Sequence, residues 1–213
     1  MVEKTINRAR TYSDLMRQKV NELDFEGDWL KSLGKPEITG SWLIWGNSGN
    51  GKTRFALQLC KYLASFCRVA YNSLEEGDSK SMRDAIKAVG MSDVKGNFLL
   101  LDQEPIEELK VRLRKRKSPD VVFIDSWQYT GLNYAQYKLL RAEFRNKLFI
   151  LISHADGKNP EGRTAKSIRY DSFVKIWIEG YKAFPASRYG GNEAFTIWDR
   201  GALEYHGMKN ERI

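Results

Sequence analysis

The chain has 213 residues, with 35 Lys+Arg against 27 Asp+Glu and a formal net charge of +8 at pH 7. With 42% hydrophobic residues, 12% aromatics and only 5 Pro, the composition excludes a disordered, collagen-like or low-complexity protein. The length predicts one domain with a small appendage. The longest aliphatic run, 148–152, is far too short to cross a bilayer.

The N-terminal MVEKTINRAR lacks the apolar stretch of a secretory signal. Cys60 and Cys67 make neither a disulfide framework nor a metal set, and read as buried free thiols of a reducing cytoplasm. The expectation is a cytoplasmic chain with no membrane partner.

Residues 3–22 predict a polar helix with sparse apolar positions (Ile6, Tyr12, Leu15, Met16, Val20). Residues 24–40, with Gly27, Gly34, Pro36 and Gly40, predict a lead-in loop. This divides the chain into an N-terminal segment, 1–40, and a core, 41–213. In the core, SWLIWG (41–46) is a buried-strand signature and 52–66 has helical period. Strand and helix then alternate: strand 68–74, helix 79–90, strand 97–102, helix 105–117, strand 121–125, helix 133–144, strand 147–153. After a polar stretch at 154–170, the segments FVKIWIEG, EAFTIWD and ALEYHG read as closely spaced short strands. The pattern predicts an α/β fold. Its sheet is mostly parallel and twisted, with helices on both faces and an antiparallel C-terminal edge.

The basic field favours polyanionic partners. The densest cluster, KVRLRKRK (110–117), follows Glu104, Glu107 and Glu108. Acid first and base last complements a helix dipole, so this cluster reads as a solvated helix end.

Gly46-Asn47-Ser48-Gly49-Asn50-Gly51-Lys52-Thr53 matches the pattern GxxxxGK[ST]. The glycines let the backbone curl so that its N–H groups face phosphate oxygens, and the following helix adds unpaired amides and the positive end of its dipole. Lys52 is placed to reach the β/γ-phosphates, and the Thr53 hydroxyl to hold Mg²⁺. The apolar strand before and the amphipathic helix after supply the context this loop needs. Asp125, ending the strand VVFID, is a candidate second metal group. Glu75-Glu76, just after the strand RVAYNSL, supply a carboxylate able to polarise an attacking water. His154, where KLFILIS gives way to a polar loop, is placed to donate to a γ-phosphate oxygen.

The order of these motifs resembles the RecA-like ATPase core of RecA, RadA and the DnaB-type helicases. The pieces that carry it are GNSGNGKT (46–53), YNSLEEG (71–77), VVFIDSWQ (121–128), ILISHADGK (150–158) and SRYGGNEAFTIWDRGALEYHG (187–207). The resemblance implies an ATPase using ATP and Mg²⁺. Glu75 would be its catalytic base, with Glu76 beside it, and Asp125 the Walker B aspartate. His154, beside Ser153, would be the γ-phosphate sensor. It also implies a homo-oligomer, ring or filament, in which a basic residue reaches the neighbour's ATP. The family's Lys-x-Arg-x-Gly element survives here as Arg188 and Gly190, with Ala186 at the Lys position. Arg188 is read either as an arginine finger acting in trans or as a solvated hairpin arginine.

The family's loops after Asp125 and after His154 touch DNA. The first carries Trp127, Tyr129, Tyr134, Tyr137 and Lys138; the second carries Lys158, Arg163, Lys166 and Arg169, with glycines that permit mobility. Aromatics beside a basic flexible strip suit single-stranded DNA, and the second loop is the favoured contact. Tyr134 and Tyr137, three apart, fit helix packing as well. The resemblance is to minimal forms of phages and mobile elements. Two functions stay open: an ATPase acting on single-stranded DNA in recombination, repair or replication, with a protein partner from those processes, or an ATPase switch that loads or regulates a protein and binds no DNA. A small-molecule phosphotransferase would need an arginine-bearing lid, which the strand-rich final third does not offer.

Overall fold

The computed structural model describes residues 8–210. In chain order its elements are α1 (Tyr12–Met16), α2 (Gly27–Leu33), β1 (Gly40–Gly46), α3 (Lys52–Ala64), β2 (Val69–Ser73), α4 (Lys80–Ala88), β3 (Phe98–Asp102), α5 (Ile106–Leu113) and β4 (Val121–Asp125). There follow α6 (Tyr134–Glu143), β5 (Leu148–Ser153), a small hairpin of β6 (Ala155–Asp156) and β7 (Asn159–Pro160), α7 (Gly162–Asp171), β8 (Val174–Glu179), β9 (Lys182–Ser187), β10 (Phe195–Thr196) and α8 (Asp199–Asn210).

Eight strands form one sheet in the order β10-β9-β8-β1-β5-β4-β2-β3. The pairs β8·β1, β1·β5, β5·β4, β4·β2 and β2·β3 are parallel, and β8·β9 and β9·β10 are antiparallel. This is the parallel sheet with an antiparallel edge that the sequence pattern predicts. The central strands β1, β4 and β5 are buried along their whole length, which is why they read as continuous apolar runs and not as alternating ones. Successive side chains still point to opposite faces. Trp42 and Ile44 join a core with Phe55, Leu59 and Leu63 of α3, Met82 of α4 and Leu33 of α2. Leu43 and Trp45 join a second core with Leu109 of α5, Leu140 of α6 and Ile168 of α7.

Helix starts are written locally. The Asn133 side chain accepts from the Gln136 amide at 3.0 Å while Gln136 reciprocates to the Asn133 amide at 2.9 Å, a capping box that opens α6. The basic cluster forms the last turn and C-terminal end of α5, with three of its cations paired: Arg112 with Glu104, Arg114 with Glu143 and Lys110 with Glu107. Cys60 is buried and Cys67 half-buried, both free. No helix among the described residues is long and apolar enough to cross a membrane.

Four expectations need correction. The predicted helix 3–22 begins in residues outside those described; within 8–22 only Tyr12–Met16 is helical, capped by Thr11 and Asp14 and burying nothing. A helix without a packed face has little to sustain it beyond its cap. ALEYHG is part of α8, not a strand: buried Ala202 and half-buried Tyr205 and His206 recur at helical spacing. The polar stretch 154–170 is not a flexible loop but a hairpin followed by α7, whose buried residues are Ala165 and Ile168 alone. Finally, the expected lead-in loop 24–40 carries the helix α2, Gly27–Leu33, whose Leu33 is buried in the core. A strand at 182–187, not anticipated, forms despite Pro185, because β10 pairs only with Lys182 and Ala183 and leaves the outer side of Pro185 without a ladder partner.

Candidate nucleotide site

The site lies at the carboxyl ends of the parallel strands, where β1 has β5 on one side and β8 on the other. Open α/β sheets place ligands at such a switch point. β1 ends at Gly46, whose Cα sits against Ile178 so closely that any Cβ would strike the Ile178 carbonyl. The chain then turns through Gly49 (φ +74°) and Gly51 (φ +95°), and α3 starts at Lys52. Left-handed dihedrals at these two glycines let the loop curl and direct its amides inward.

Asn50 straps the loop to the rest of the fold. Its Nδ2 donates to the Ser48 carbonyl at 3.1 Å, and its Oδ1 accepts from the Gly180 amide at 2.8 Å. The Tyr181 amide donates to the Asn50 carbonyl at 3.2 Å. The loop is thus tied to the β8–β9 turn.

Lys52 Nζ folds back to the Asn47 carbonyl at 3.1 Å. Burial lowers its pKa, and the carboxylates of Asp125 and Glu75 oppose that shift. Asp125 is 8% exposed at the end of β4 and accepts from the Tyr71 hydroxyl and from Ser126 Oγ at 3.3 Å. Burial pushes its pKa up; the hydrogen bond from Tyr71 works against this. Glu75 Oε2 accepts from Ser126 Oγ at 2.6 Å and lies 3.3 Å from His154 Nε2. Glu75 and His154 come from different strand ends, β2 and β5, and meet only because β4 lies between those strands.

These groups line one cavity of about 380 Å³ together with Thr53, Arg54, Glu76 and Tyr181. Of the sequence candidates, Ser48, Gly49, Gly51, Lys52, Thr53, Asp125, Glu75 and His154 line this one cavity, and Gly46, Asn47 and Asn50 complete the loop behind it. No cluster of three or more His, Cys, Asp or Glu able to hold a metal occurs among the described residues. For a cation the wall offers the Thr53 hydroxyl and the buried Asp125 carboxylate, with the Ser48 and Ser126 hydroxyls and the Glu75 and Glu76 carboxylates around them. One hydroxyl and one carboxylate suffice for a hydrated Mg²⁺ when phosphate supplies its other oxygens.

The remaining candidates lie elsewhere. Arg188 follows β9 at the far end of the sheet. Its amide donates to the Phe173 carbonyl at 3.1 Å and its guanidinium stands 5.0 Å over the Phe173 ring. Lys158 is on the β6–β7 turn, and Arg163, Lys166 and Arg169 are on α7. Lys166 pairs with Asp156 at 3.6 Å, and Arg169 donates to Asn159 Oδ1 at 3.0 Å. Trp127 and Tyr137 are buried packing residues, and the Tyr134 hydroxyl donates to Asp171 at 2.6 Å. Tyr129, 58% exposed, has its ring 6.5 Å from that of His154.

Sequence reasoning missed an aromatic wall. Tyr181, in the β8–β9 turn, lines the phosphate cavity and meets Trp198 edge-on at 5.0 Å, while the Arg54 guanidinium lies 5.6 Å over the Trp198 ring. The available signal was the Glu179-Gly180-Tyr181 turn, visible only once 182–187 is recognised as a strand.

No protein-family model matches the sequence, and no curated protein matches it either. Solved structures do match in fold. Flagellar accessory protein FlaH from Methanocaldococcus jannaschii superposes with a TM-score of 0.59 at 17% identity, over 84% of this chain and 96% of that one. The KaiC-like protein PH0186 from Pyrococcus horikoshii OT3 gives 0.52 at 18%, over 73% and 81%. The ATPase domain of G40P gives 0.52 at 18%, over 74% and 80%. With its P-loop at the end of β1 and its parallel sheet closed by antiparallel edge strands, the chain has the RecA-like P-loop ATPase fold.

Proposed function

We propose that this chain binds ATP with Mg²⁺ and hydrolyses it to ADP and phosphate, working as a homo-oligomer that engages single-stranded DNA. The observation that carries the reading is one cavity holding a glycine cradle, an ammonium, a hydroxyl, a buried carboxylate and a carboxylate–imidazole pair. The cradle amides of 47–51 and Lys52 bind the phosphates. Thr53 and Asp125 would hold Mg²⁺, which neutralises phosphate charge. Glu75, oriented by Ser126, is the base that takes a proton from the attacking water, and His154 senses the γ-phosphate beside it. Tyr181 offers an aromatic face for the base next to the loop that grips the phosphates.

DNA as effector is supported by the net charge of +8 and by Lys158, Arg163, Lys166 and Arg169 gathered on one hairpin and one helix next to the strand end that bears His154.

The test is nucleotide binding and turnover in two variants. Lys52→Ala loses affinity and turnover together. Glu75→Gln keeps ATP affinity within a few-fold and loses about 10²–10⁴ in turnover, the usual contribution of a general base. Unchanged turnover in Glu75→Gln removes Glu75 from the chemistry. Turnover indifferent to single-stranded DNA at every protein concentration replaces the DNA reading with that of a switch acting on a protein partner.

A further inference from the structure

A second recess lies on the opposite side of β1 from α3. Trp45 of β1 is in register with Trp177 of β8, and Trp177 with Phe184 of β9. Three aromatic side chains therefore stand in one row across three adjacent strands, on one face of the sheet. The Trp45 and Trp177 rings are 5.9 Å apart. Trp45 lies in the core with Ala165 and Ile168 of α7, Trp177 packs at the edge of that core, and Phe184 has the His206 ring of α8 at 6.4 Å, so exposure rises outward: Trp45 is buried at 4%, Trp177 is half-buried and Phe184 is 37% exposed.

The rim is cationic. Lys158, Arg169 and Lys175 line the same recess of about 400 Å³. None of the three has a carboxylate within ion-pair distance among the described residues, although other cations nearby, such as Lys166, do. Arg169 stands 5.0 Å over Trp45, which sets one guanidinium against the aromatic floor, and the Trp45 indole donates to the Lys158 main-chain carbonyl at 3.1 Å, which ties the β6–β7 turn to the same floor. The acid in the recess, Glu179, is engaged by the Trp177 indole at 3.4 Å and by the Tyr205 hydroxyl at 3.2 Å.

We infer that this row is a base-stacking platform for single-stranded nucleic acid, with Trp177 and Phe184 taking bases and Lys158, Lys175 and Arg169 tracking phosphates. Aromatic faces in line on a sheet, bordered by cations without acidic partners, match an unpaired strand on both counts: every base has a π-face, and every linkage carries a charge. An apolar helix would have to bury those three cations unpaired. The platform is also next to the nucleotide site in the chain, since Trp45 immediately precedes Gly46. The inference rests on the proposal of single-stranded DNA as effector and names a surface for it beyond the hairpin and α7.

The experiment measures binding of a fluorescein-labelled oligo-dT by polarisation, and of a fluorescent ATP analogue in parallel, for the full chain and three variants. Trp177→Leu keeps apolar bulk and removes the π-face; it should weaken oligo-dT binding about ten-fold, the scale of one lost stack, and leave the ATP analogue bound as before. Trp177→Phe should bind oligo-dT within about two-fold of the parent. Lys175→Ala should lower the salt dependence of log K by about one. Oligo-dT binding undiminished in Trp177→Leu overturns the platform while leaving DNA as effector. No oligo-dT binding by a parent chain that holds the ATP analogue overturns both the platform and the DNA reading, and leaves the nucleotide site standing. Loss of self-association in Trp177→Leu on sedimentation, with oligo-dT binding intact, makes the recess an interface between copies and overturns the platform as well.

Discussion

Asp125 shows what a buried carboxylate costs its own fold. Its carboxylate is almost fully buried, and burial raises its pKa above the ordinary 3.8. A carboxyl with a raised native pKa favours folding most when protonated, below 3.8, and that contribution is lost as pH rises through the native value. At neutral pH the nucleotide-free protein carries the penalty in full. Asp125→Asn removes the charge while still accepting from Tyr71. The expected outcome is a rise in Tm of about 2–4 °C without nucleotide, for roughly 1 kcal/mol relieved in a chain of this size. Magnesium-dependent stabilisation by ATP disappears in the same variant. Thermal unfolding with and without Mg·ATP checks both; a lower Tm without nucleotide would show that the hydrogen bond from Tyr71 outweighs the burial penalty. Asp125 was legible in the sequence because the acid ending the apolar run VVFI follows a P-loop motif, in the order of the RecA-like core. The hydroxyl that supports it was not: Tyr71 sits inside another apolar strand, 54 residues away, and looks like any core aromatic.

At the scale of elements, the P-loop is held from outside itself. Asn50 joins it to the β8–β9 turn through Gly180 and Tyr181, 130 residues on. Asn50→Ala removes the Gly180 leg of that strap and two contacts inside the loop, and keeps the main-chain bond from Tyr181. At about 1 kcal/mol per hydrogen bond, nucleotide affinity is expected to fall about five- to ten-fold and Tm by a few degrees. Titration of a fluorescent ATP analogue decides the point; intact affinity with a lowered Tm would make the strap purely structural. The same contact explains where sequence reading succeeds and where it stops. The loop itself is a contiguous motif, and β1, β4 and β5 are buried on both faces, so residues near in the chain carry the whole signal. The last third depends on partners far away. β8 alternates buried and half-buried residues, β9 tolerates Pro185 only because its outer neighbour is short, and α7 buries only Ala165 and Ile168, too few to show a clear period. The aromatic wall of Tyr181 and Trp198 was hidden for the same reason: no local pattern says that this turn returns to the P-loop.

At the scale of the molecule, the two ends of the sheet differ in charge and role. The nucleotide cavity is at the end marked by Gly46, opposite Ile178 of β8. Arg188 is at the other end, just after Ser187, which lies opposite Val174. Four strand residues separate these positions, roughly 13 Å at the usual rise, so Arg188 does not reach the phosphates of its own chain. Near it the Arg141 guanidinium stands 5.7 Å over the same Phe173 ring, and Arg145 lines the adjoining cleft. If the cavity end binds phosphate as proposed, it and the end that bears arginines are complementary between copies in a head-to-tail arrangement, which closes as a ring or continues as a filament. If Arg188 completes a neighbour's site, parent and Arg188→Ala have equal turnover per chain when dilute. Only the parent gains as concentration rises, by on the order of 10³-fold at saturation, the contribution of an arginine supplied in trans. Arg188→Lys keeps the charge but not the planar two-pronged donor, and should recover only part of the gain. Sedimentation at the same concentrations separates chemistry from assembly: a variant that assembles normally without gaining activity places Arg188 at the neighbour's phosphates. One that gains activity like the parent returns it to a solvated arginine stacked on Phe173.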